Sequence, residues 1–279
     1  MNMKKMKAVQ PFAPSRKSSK ERLDSLVVTH ALVSSREQAC RLILAGRVRV
    51  DGVLIDKPGK IVEKTVSLEL TKPEWEYASR AGEKLAPALD AFSVSCSGCV
   101  VMDVGASTGG FTDCVLQRGA SRVYAIDVGY GQLDWRLRSD PRVVVMDRFN
   151  IRNLCPQDIP EPVDLAVIDV SFISLRLVLP VILPVLREHA HLVALVKPQF
   201  EVGKGQVGKG GIVRDEKLRD QVKDRFVEYA RCLQLEVIGV MDSTLLGKKG
   251  NKEMLVGLKK EGSRSTDGNE PGARIARQT

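Results

Sequence analysis

No stretch of the 279-residue sequence is apolar for long enough to cross a bilayer. The longest apolar run, around Leu175 to Leu186, is broken by Arg176 and by two prolines, Pro180 and Pro184. The N-terminus, MNMKKMKAVQPFAPSRKSSK, lacks the apolar core of a secretory signal. Nothing in the sequence reads as a membrane anchor, and a cytoplasmic location is expected. A disulfide framework is also missing. Cys40, Cys96, Cys99, Cys114, Cys155 and Cys232 are scattered through segments that read as helices and strands, as reduced thiols would be. Cys96 and Cys99 form a CxxC, but no second pair completes a zinc site, so no metal is expected. Internal repeats are absent.

What is present is an excess of positive charge. The 43 Lys and Arg outnumber the 34 Asp and Glu, giving a formal net charge of +9, a balance that attracts polyanions and makes nucleic acid the leading class of partner. An apolar fraction of 43% supplies an ordinary buried core, and the length suits one large domain with a small one. Composition divides the chain further. Residues 1–20 form a basic tail without periodicity, expected to be flexible, and 21–70 a small compact segment. Residues 71–78, with Lys72-Pro73, read as a linker, 79–260 as the large domain, and 261–279 as a disordered tail.

In the small segment Leu23, Leu26 and Val27, then Ala39, Leu42 and Ile43, recur at helical spacing, and β-prone stretches follow at Arg47 to Val50 and Val66 to Leu70. Asp51-Gly52 between Val50 and Val53 is a hairpin turn signal. Two helices and a small sheet are predicted, an α+β unit. Arg22, Arg36, Arg41, Arg47 and Arg49 are threaded through it and would give it a positive face for RNA.

The large segment alternates strands with helices. Strands are predicted at Val100 to Val104, Arg122 to Asp127, Val143 to Met146, Leu165 to Asp169, Leu192 to Val196, Leu235 to Val240 and Met254 to Leu258. Helices are predicted at Thr112 to Arg118, Leu175 to Arg187 and Glu216 to Leu233. The alternation implies an α/β fold, a Rossmann-like, mostly parallel seven-stranded sheet wound on both faces.

The sharpest local signal is VVMDVGASTGGF at Val100 to Phe111, a strand running into an acidic, glycine-rich turn before a helix. The crevice beyond a strand's carboxyl end is where open α/β sheets bind ligands, and glycine allows close backbone approach and unusual dihedrals. Gly105, Gly109 and Gly110 are spaced GxxxGG and not GxGxxG, and no Lys-Ser/Thr pair follows, so phosphate cradling is disfavoured. Asp103 ends this strand and Ser107 lies in the turn. Asp127 ends the next strand about 20 residues on, where a carboxylate accepts ribose hydroxyls. Asp147 follows the third strand, near Asn150, a pair suited to an adenine edge. An adenosine with a cationic, phosphate-free tail fits these residues, and S-adenosylmethionine is the expected cofactor.

Two further strand ends carry ionisable groups, Asp169 in VIDVSF and Lys197 in LVKPQF, and Lys84 in SRAGEKL and Glu253 in NKEM join them if the last strand is antiparallel. A lysine partly desolvated beside another cation can act as a base toward a hydroxyl. The Asn/Asp-Pro-Pro-aromatic motif of amino-group methylation is absent, since Asp169-Val-Ser-Phe has neither proline.

Residues 79–260 resemble the FtsJ-like 2′-O-methyltransferases, whose K-D-K-E tetrad would fall on Lys84, Asp169, Lys197 and Glu253. SRAGEKL, DVGASTGGFTD, DVSFISL and VKPQFEVGK look like the TlyA (hemolysin A) family, and RLD at Arg22, SREQA at Ser35 and GRVRVDG at Gly46 are similar to the S4 RNA-binding domain. The resemblance implies a class I fold and methylation of cytidine 2′-hydroxyls in ribosomal RNA or ribosomal subunits, with Lys197 as base and Lys84 in support. It also implies that GKGQVGKGG at Gly203 is a substrate loop whose Lys204 and Lys209 meet phosphates. A non-catalytic RNA-binding protein and a cytolysin are the competing readings. The four polar tetrad residues argue against the first, and the absence of an amphipathic lipid-binding helix argues against the second.

Overall fold

The computed structural model describes residues 19–71, 76–203, 205–208, 210–247 and 250–262. Both terminal tails, Lys72-Pro73, Lys204 and Lys209 therefore lie outside the described residues, apart from 19–20 and 261–262. The chain forms two compact units, 1–72 and 73–279.

The first unit runs β1 (Lys20–Arg22), α1 (Leu23–Thr29), α2 (Arg36–Leu44), β2 (Val48–Val50), β3 (Val53–Leu54), β4 (Ile61–Glu63) and β5 (Leu68–Leu70). The helical spacing buries Leu23, Leu26 and Val27 of α1 against Ala39 and Ile43 of α2 and Val48 of β2. Ser35 caps α2, its Oγ accepting from Gln38 N at 3.1 Å. β2 is the centre of a three-stranded antiparallel sheet between β3 and β5, and β1 pairs with β4. The predicted hairpin turn is present: Asp51 and Gly52 sit at φ 49° and 78°, the left-handed pair that a two-residue turn between twisted strands requires.

In the second unit α3 (Gly82–Ala91) precedes β6 (Val100–Val104), α4 (Gly110–Gln117), β7 (Arg122–Ile126), α5 (Trp135–Arg138) and β8 (Val143–Met146). Then come β9 (Val163–Ile168), α6 (Leu179–Ile182), β10 (Leu186–Val196), α7 (Pro198–Glu201), α8 (Glu216–Cys232), β11 (Leu235–Asp242) and β12 (Met254–Lys260). The seven strands lie in the order β11-β12-β10-β9-β6-β7-β8, with β12 antiparallel to both its neighbours. Side chains alternate across the sheet. Met102, Ile126, Ile168 and Ala194 face one core with Phe226 of α8, while Val101, Val123, Val167 and Val193 face the other with Leu85 of α3 and Val115 of α4. This is a Rossmann-like, doubly wound sheet in which only β12 runs against its neighbours.

Chain order reverses at β6, which has β7 on one side and β9 on the other. The crevice beyond the carboxyl ends of β6 and its neighbours is thus the topological switch point, the expected ligand position in such a sheet.

Two expectations need correction. The helix predicted from Leu175 to Arg187 is a series of short turns, 3-10 at Leu175–Leu177 and Leu183–Val185 around the four-residue α6. Pro180 and Pro184 each remove an amide donor, so no continuous ladder can form. The chain enters β10 at Leu186, which lengthens the predicted Leu192 to Val196 strand to eleven residues. Conversely, a helix that no pattern in the sequence indicated precedes the first predicted strand of the large domain and carries Lys84. This is α3, unforeseen because Gly82 and Pro87 disguise the helical pattern.

Phe92, immediately after α3, packs where β11 and β12 present a glycine pair. A Cβ at Gly239 would stand 2.6 Å from the Phe92 ring and one at Gly257 2.7 Å, and the two glycines are register partners. The flat patch seats the end of the helix that carries Lys84. Gly257→Ala is expected to destabilise the protein by about 1–3 kcal/mol through overpacking, read as a lowered urea midpoint. An unchanged midpoint would mean that Phe92 is free to move.

Candidate active site

Two lysine–carboxylate pairs stand at the carboxyl edge of the sheet. Lys84 Nζ donates to Glu253 Oε2 at 2.6 Å, with both residues buried, across 169 residues of sequence. Lys197 Nζ lies 2.5 Å from Asp169 Oδ1 and donates to Ser171 Oγ at 3.0 Å. Topology brings these pairs together. Val196 ends β10 opposite Met254, which begins the antiparallel β12, so Lys197 and Glu253 are the next residues at one edge. Asp169 follows β9, the other neighbour of β10, and its N–H donates to Val104 O at 2.9 Å.

Each lysine is held through its surroundings. Pro87 has no N–H for the Glu83 carbonyl, which accepts instead from Thr244 Oγ1 at 3.2 Å and ties α3 to the loop that leads to Glu253. In that loop Ser243 N donates to Glu253 O at 2.9 Å, and a Cβ at Gly247 would fall 2.0 Å from Glu253 Oε1. The buried Asn251 joins the loop to residues 211–213, accepting from Val213 N at 3.0 Å and donating to Gly211 O at 2.9 Å. On the other side Glu201 of α7 accepts from Ser174 Oγ at 2.6 Å and Leu175 N at 2.8 Å, fastening the segment after Asp169 to the segment after Lys197. Burial raises the Glu201 carboxyl above its ordinary value, against the pull of those two donors.

The glycine-rich turn follows β6. Gly105 and Gly109 have φ 92° and 95°, and Ser107 is left-handed as well at 48°. Their missing side chains face protein: a Cβ at Gly105 would stand 2.5 Å from Asp169 O, and one at Gly109 2.2 Å from Leu137. At Gly110 it would stand 2.4 Å from Ser79 Oγ and 2.9 Å from Gly82 N. These glycines thus bring the turn against Asp169 and against the start of α3, in addition to permitting its dihedrals.

The three acids at successive strand ends have different surroundings. Asp127 accepts from Ser107 N at 2.8 Å and Gly129 N at 2.6 Å, joining two loops across the crevice. Asp147 pairs with Arg138 and accepts from Gly131 N, while Asn150 Oδ1 caps a turn by accepting from Arg152 N. Asp103 is fully buried beneath the turn and accepts from Thr112 Oγ1 at 2.6 Å, and its Oδ1 has no hydrogen-bond partner among the described residues. Burial pushes its carboxyl up to about 7, the Thr112 hydrogen bond opposing. The turn from Gly105 to Gly109 carries no cation for a phosphate, and Val128 and Tyr130 beyond Asp127 are exposed. Carboxylates at the strand ends, a phosphate-averse turn and exposed apolar surface fit an adenosine with a cationic tail.

Reasoning from sequence assigned no role to Ser171, Glu201 and Asn251, which lie inside the quoted motifs, nor to Thr244 and Gly247, which lie outside them; all five hold the tetrad in place. It also missed Phe172, which is 92% exposed at φ 65° and whose ring centroid lies 5.1 Å from that of Phe200. Ser171 and Phe172 adjoin Asp169, and Phe200 follows Lys197 by three, so adjacency to the motifs was the available signal. In the first unit the structure brings Arg22 and Arg36 together at Asp24, while Arg47 and Arg49 reach the backbone oxygens of Thr71 and Gly52. Arg41 lies on α2, and Lys204 is outside the described residues. Among the described residues there is no group of three or more His, Cys, Asp or Glu placed to hold a metal ion, and no helix long and apolar enough to cross a membrane.

Fold and site define a Rossmann-like methyltransferase. The chain belongs to the FtsJ-like methyltransferase family, whose members it matches over residues 77–260, and it matches the S4 domain over 21–66. Its methyl donor is S-adenosylmethionine. The 16S/23S rRNA (cytidine-2′-O)-methyltransferase TlyA of Mycobacterium tuberculosis is 47% identical over 245 residues, 88% of this chain and 91% of that protein. Hemolysin A of Brachyspira hyodysenteriae is 39% identical over 235 residues, 84% of this chain and 98% of that one. The solved structure of a candidate hemolysin from Streptococcus thermophilus superposes with a TM-score of 0.68 at 43% identity, covering 87% of this chain and 89% of that chain.

Two predictions follow from the geometry of the site. Gly247→Ala adds one methyl group against the Glu253 carboxylate and changes no charge. Displacement of the Lys84–Glu253 pair is expected to slow methyl transfer by roughly 100-fold in single-turnover assays, and full turnover would make the placement of that carboxylate immaterial. The second concerns Asp103. The folded chain keeps a proton on this carboxyl up to about pH 7, whereas the unfolded chain releases it at the ordinary aspartate value near 3.8, so rising pH between those values favours unfolding. Asp103→Asn has no proton to lose there, and its melting temperature should fall less than that of wild type from pH 4.5 to 7.5. Parallel pH profiles would show that Asp103 ionises normally.

Proposed function

We propose that the chain methylates the 2′-hydroxyl of a ribose, that of a cytidine, in ribosomal RNA, taken free or within ribosomal subunits in the cytoplasm. The observation that carries this reading is the meeting of Lys84–Glu253 and Lys197–Asp169 at the sheet edge that holds the glycine-rich turn. The relative named as a cytidine-2′-O-methyltransferase of 16S and 23S rRNA matches nearly the whole chain and so supports the same reading.

S-adenosylmethionine supplies an electrophilic methyl group on a sulfonium centre. Asp103, Gly105, Ser107, Gly109, Gly110, Asp127 and Asp147 form or support its crevice, Asp103 from beneath the turn. Lys197 takes the proton of the 2′-hydroxyl as general base, and Asp169 and Ser171 fix the position of its nitrogen. S-adenosylmethionine held in that crevice would supply its methyl group to the 2′-oxygen that Lys197 deprotonates. Lys84, locked to Glu253, places a fixed positive charge where negative charge grows on that oxygen. The exposed Phe172 beside Phe200 offers an unstacked base an aromatic face. The S4 unit, with Arg22, Arg36, Arg41, Arg47 and Arg49, would hold RNA, and Lys204 would add a phosphate contact.

Incubation with tritiated S-adenosylmethionine and unmodified ribosomal subunits or ribosomal RNA, followed by digestion to nucleosides, should place the label on the ribose of cytidine. Label on a base would overturn the ribose assignment, and no label with any RNA would point to a binding module. Lys197→Ala should lower transfer by at least about 100-fold while the protein still binds S-adenosylmethionine. Full activity in that variant would remove Lys197 from its role.

A further inference from the structure

The face expected to bind RNA contains a carboxylate that sequence reasoning passed over. Asp24 is 1% exposed and sits in the first turn of α1, where its Oδ1 accepts from Ser25 N at 2.9 Å. Arg22 grips it from the preceding strand with two parallel bonds, Nε to Oδ1 at 3.0 Å and Nη2 to Oδ2 at 2.7 Å. Arg36, the first residue of α2, reaches the same Oδ2 with Nε at 3.1 Å and Nη2 at 3.0 Å. Cys40, one turn further along α2, approaches that oxygen with its thiol at 3.6 Å. Gly59 leaves room beside the Arg22 guanidinium, since a Cβ there would stand 3.1 Å from Nη1. Burial alone would raise the Asp24 carboxyl, but the two guanidiniums outweigh it and bring it down to about 2.

A negative charge on a surface for polyanions lowers affinity unless it does something else. Here both arginine side chains remain about half exposed, at 47% and 56%, while the carboxylate between them is sealed from solvent. Each guanidinium spends its Nε and Nη2 on Asp24 and keeps Nη1 for another acceptor. A free arginine loses considerable rotamer entropy when it binds, and a fork already fixed in place loses less. We infer that Asp24 is a positioning residue that holds Arg22 and Arg36 as a preformed two-arginine clamp for RNA backbone phosphate.

This inference rests on the RNA-binding reading of the S4 unit. The two separate in one titration of the full chain against a structured ribosomal RNA fragment, at several salt concentrations. If the wild-type protein fails to bind, the RNA-binding reading fails. If it binds, Asp24→Asn decides the clamp, and the sign of the effect is diagnostic. Removing a negative charge should tighten binding if only net charge matters, whereas loss of the clamp should weaken it by roughly 10-fold and reduce the log–log salt slope by about 1 to 2. Equal or tighter binding with an unchanged slope would overturn the inference. Should Asp24→Asn fail to fold, Arg22→Lys with Arg36→Lys keeps every formal charge but removes the paired donors. It should weaken RNA binding to a similar extent, and wild-type affinity in a folded double variant would equally overturn the clamp.

Discussion

The proposed catalytic edge depends on the buried ion pair between Lys84 and Glu253. A lysine and a glutamate taken out of water pay a desolvation penalty of several kcal/mol each, recovered only with close, well-supported contact. The fold supplies that contact at considerable structural expense. α3 is pressed onto a glycine patch through Phe92, fastened to the Glu253 loop by Thr244, and brought close to the cofactor turn by Gly82 and Gly110. Breaking such a pair by removing one partner costs about 3–5 kcal/mol. Loss of activity in a truncated Lys84 variant would therefore mix a stability effect with a catalytic one, whereas Gly247 perturbs the placement of the pair with its charges intact.

The strands and the turn were legible in the sequence because each is local, and the strand-end positions of Asp169, Lys197 and Glu253 followed from them. Buried parallel strands are short apolar runs, the acid or lysine that ends a strand stands next to it in sequence, and antiparallel placement of β12 puts Glu253 at the same edge. The errors have equally physical sources. The stretch from Leu175 has helical composition but two prolines without amide donors, and tertiary packing resolves it into short turns leading to a long strand. α3 was hidden because an interior proline normally argues against a helix, and the group that compensates for it, the Thr244 hydroxyl, lies 161 residues away. Ser171, Glu201 and Asn251 stand within the quoted motifs, but their roles were not legible for the same reason. Their partners are set by topology and not by spacing.

The glycine-rich turn was read as room for a ligand. The structure sharpens that reading, since Gly105, Gly109 and Gly110 leave no room toward Asp169, Leu137 or α3 for even one methyl group. They draw the cofactor turn, the Asp169 backbone and the Lys84 helix into close contact. A motif read as a ligand turn therefore also sets the distance from that turn to Asp169 and to the helix of Lys84. The acids divide similarly: Asp127 and Asp147 brace the loops around the crevice, and Asp103 lies beneath them.

A common device links the two units. Lys84 is held by Glu253, Lys197 by Asp169, and Arg22 and Arg36 by Asp24, so both lysines of the tetrad and two arginines of the S4 unit rest on a carboxylate. Long cationic side chains are poor instruments when free, because fixing one costs up to about 2 kcal/mol of rotamer entropy at the moment of binding. An adjacent carboxylate moves that cost into folding, where packing of the whole domain absorbs it, while reducing the net positive charge offered to RNA. The trade favours geometry over field strength. It suits an enzyme whose long-range attraction is already supplied by a net charge of +9 and whose selectivity must come from where a few nitrogen atoms stand.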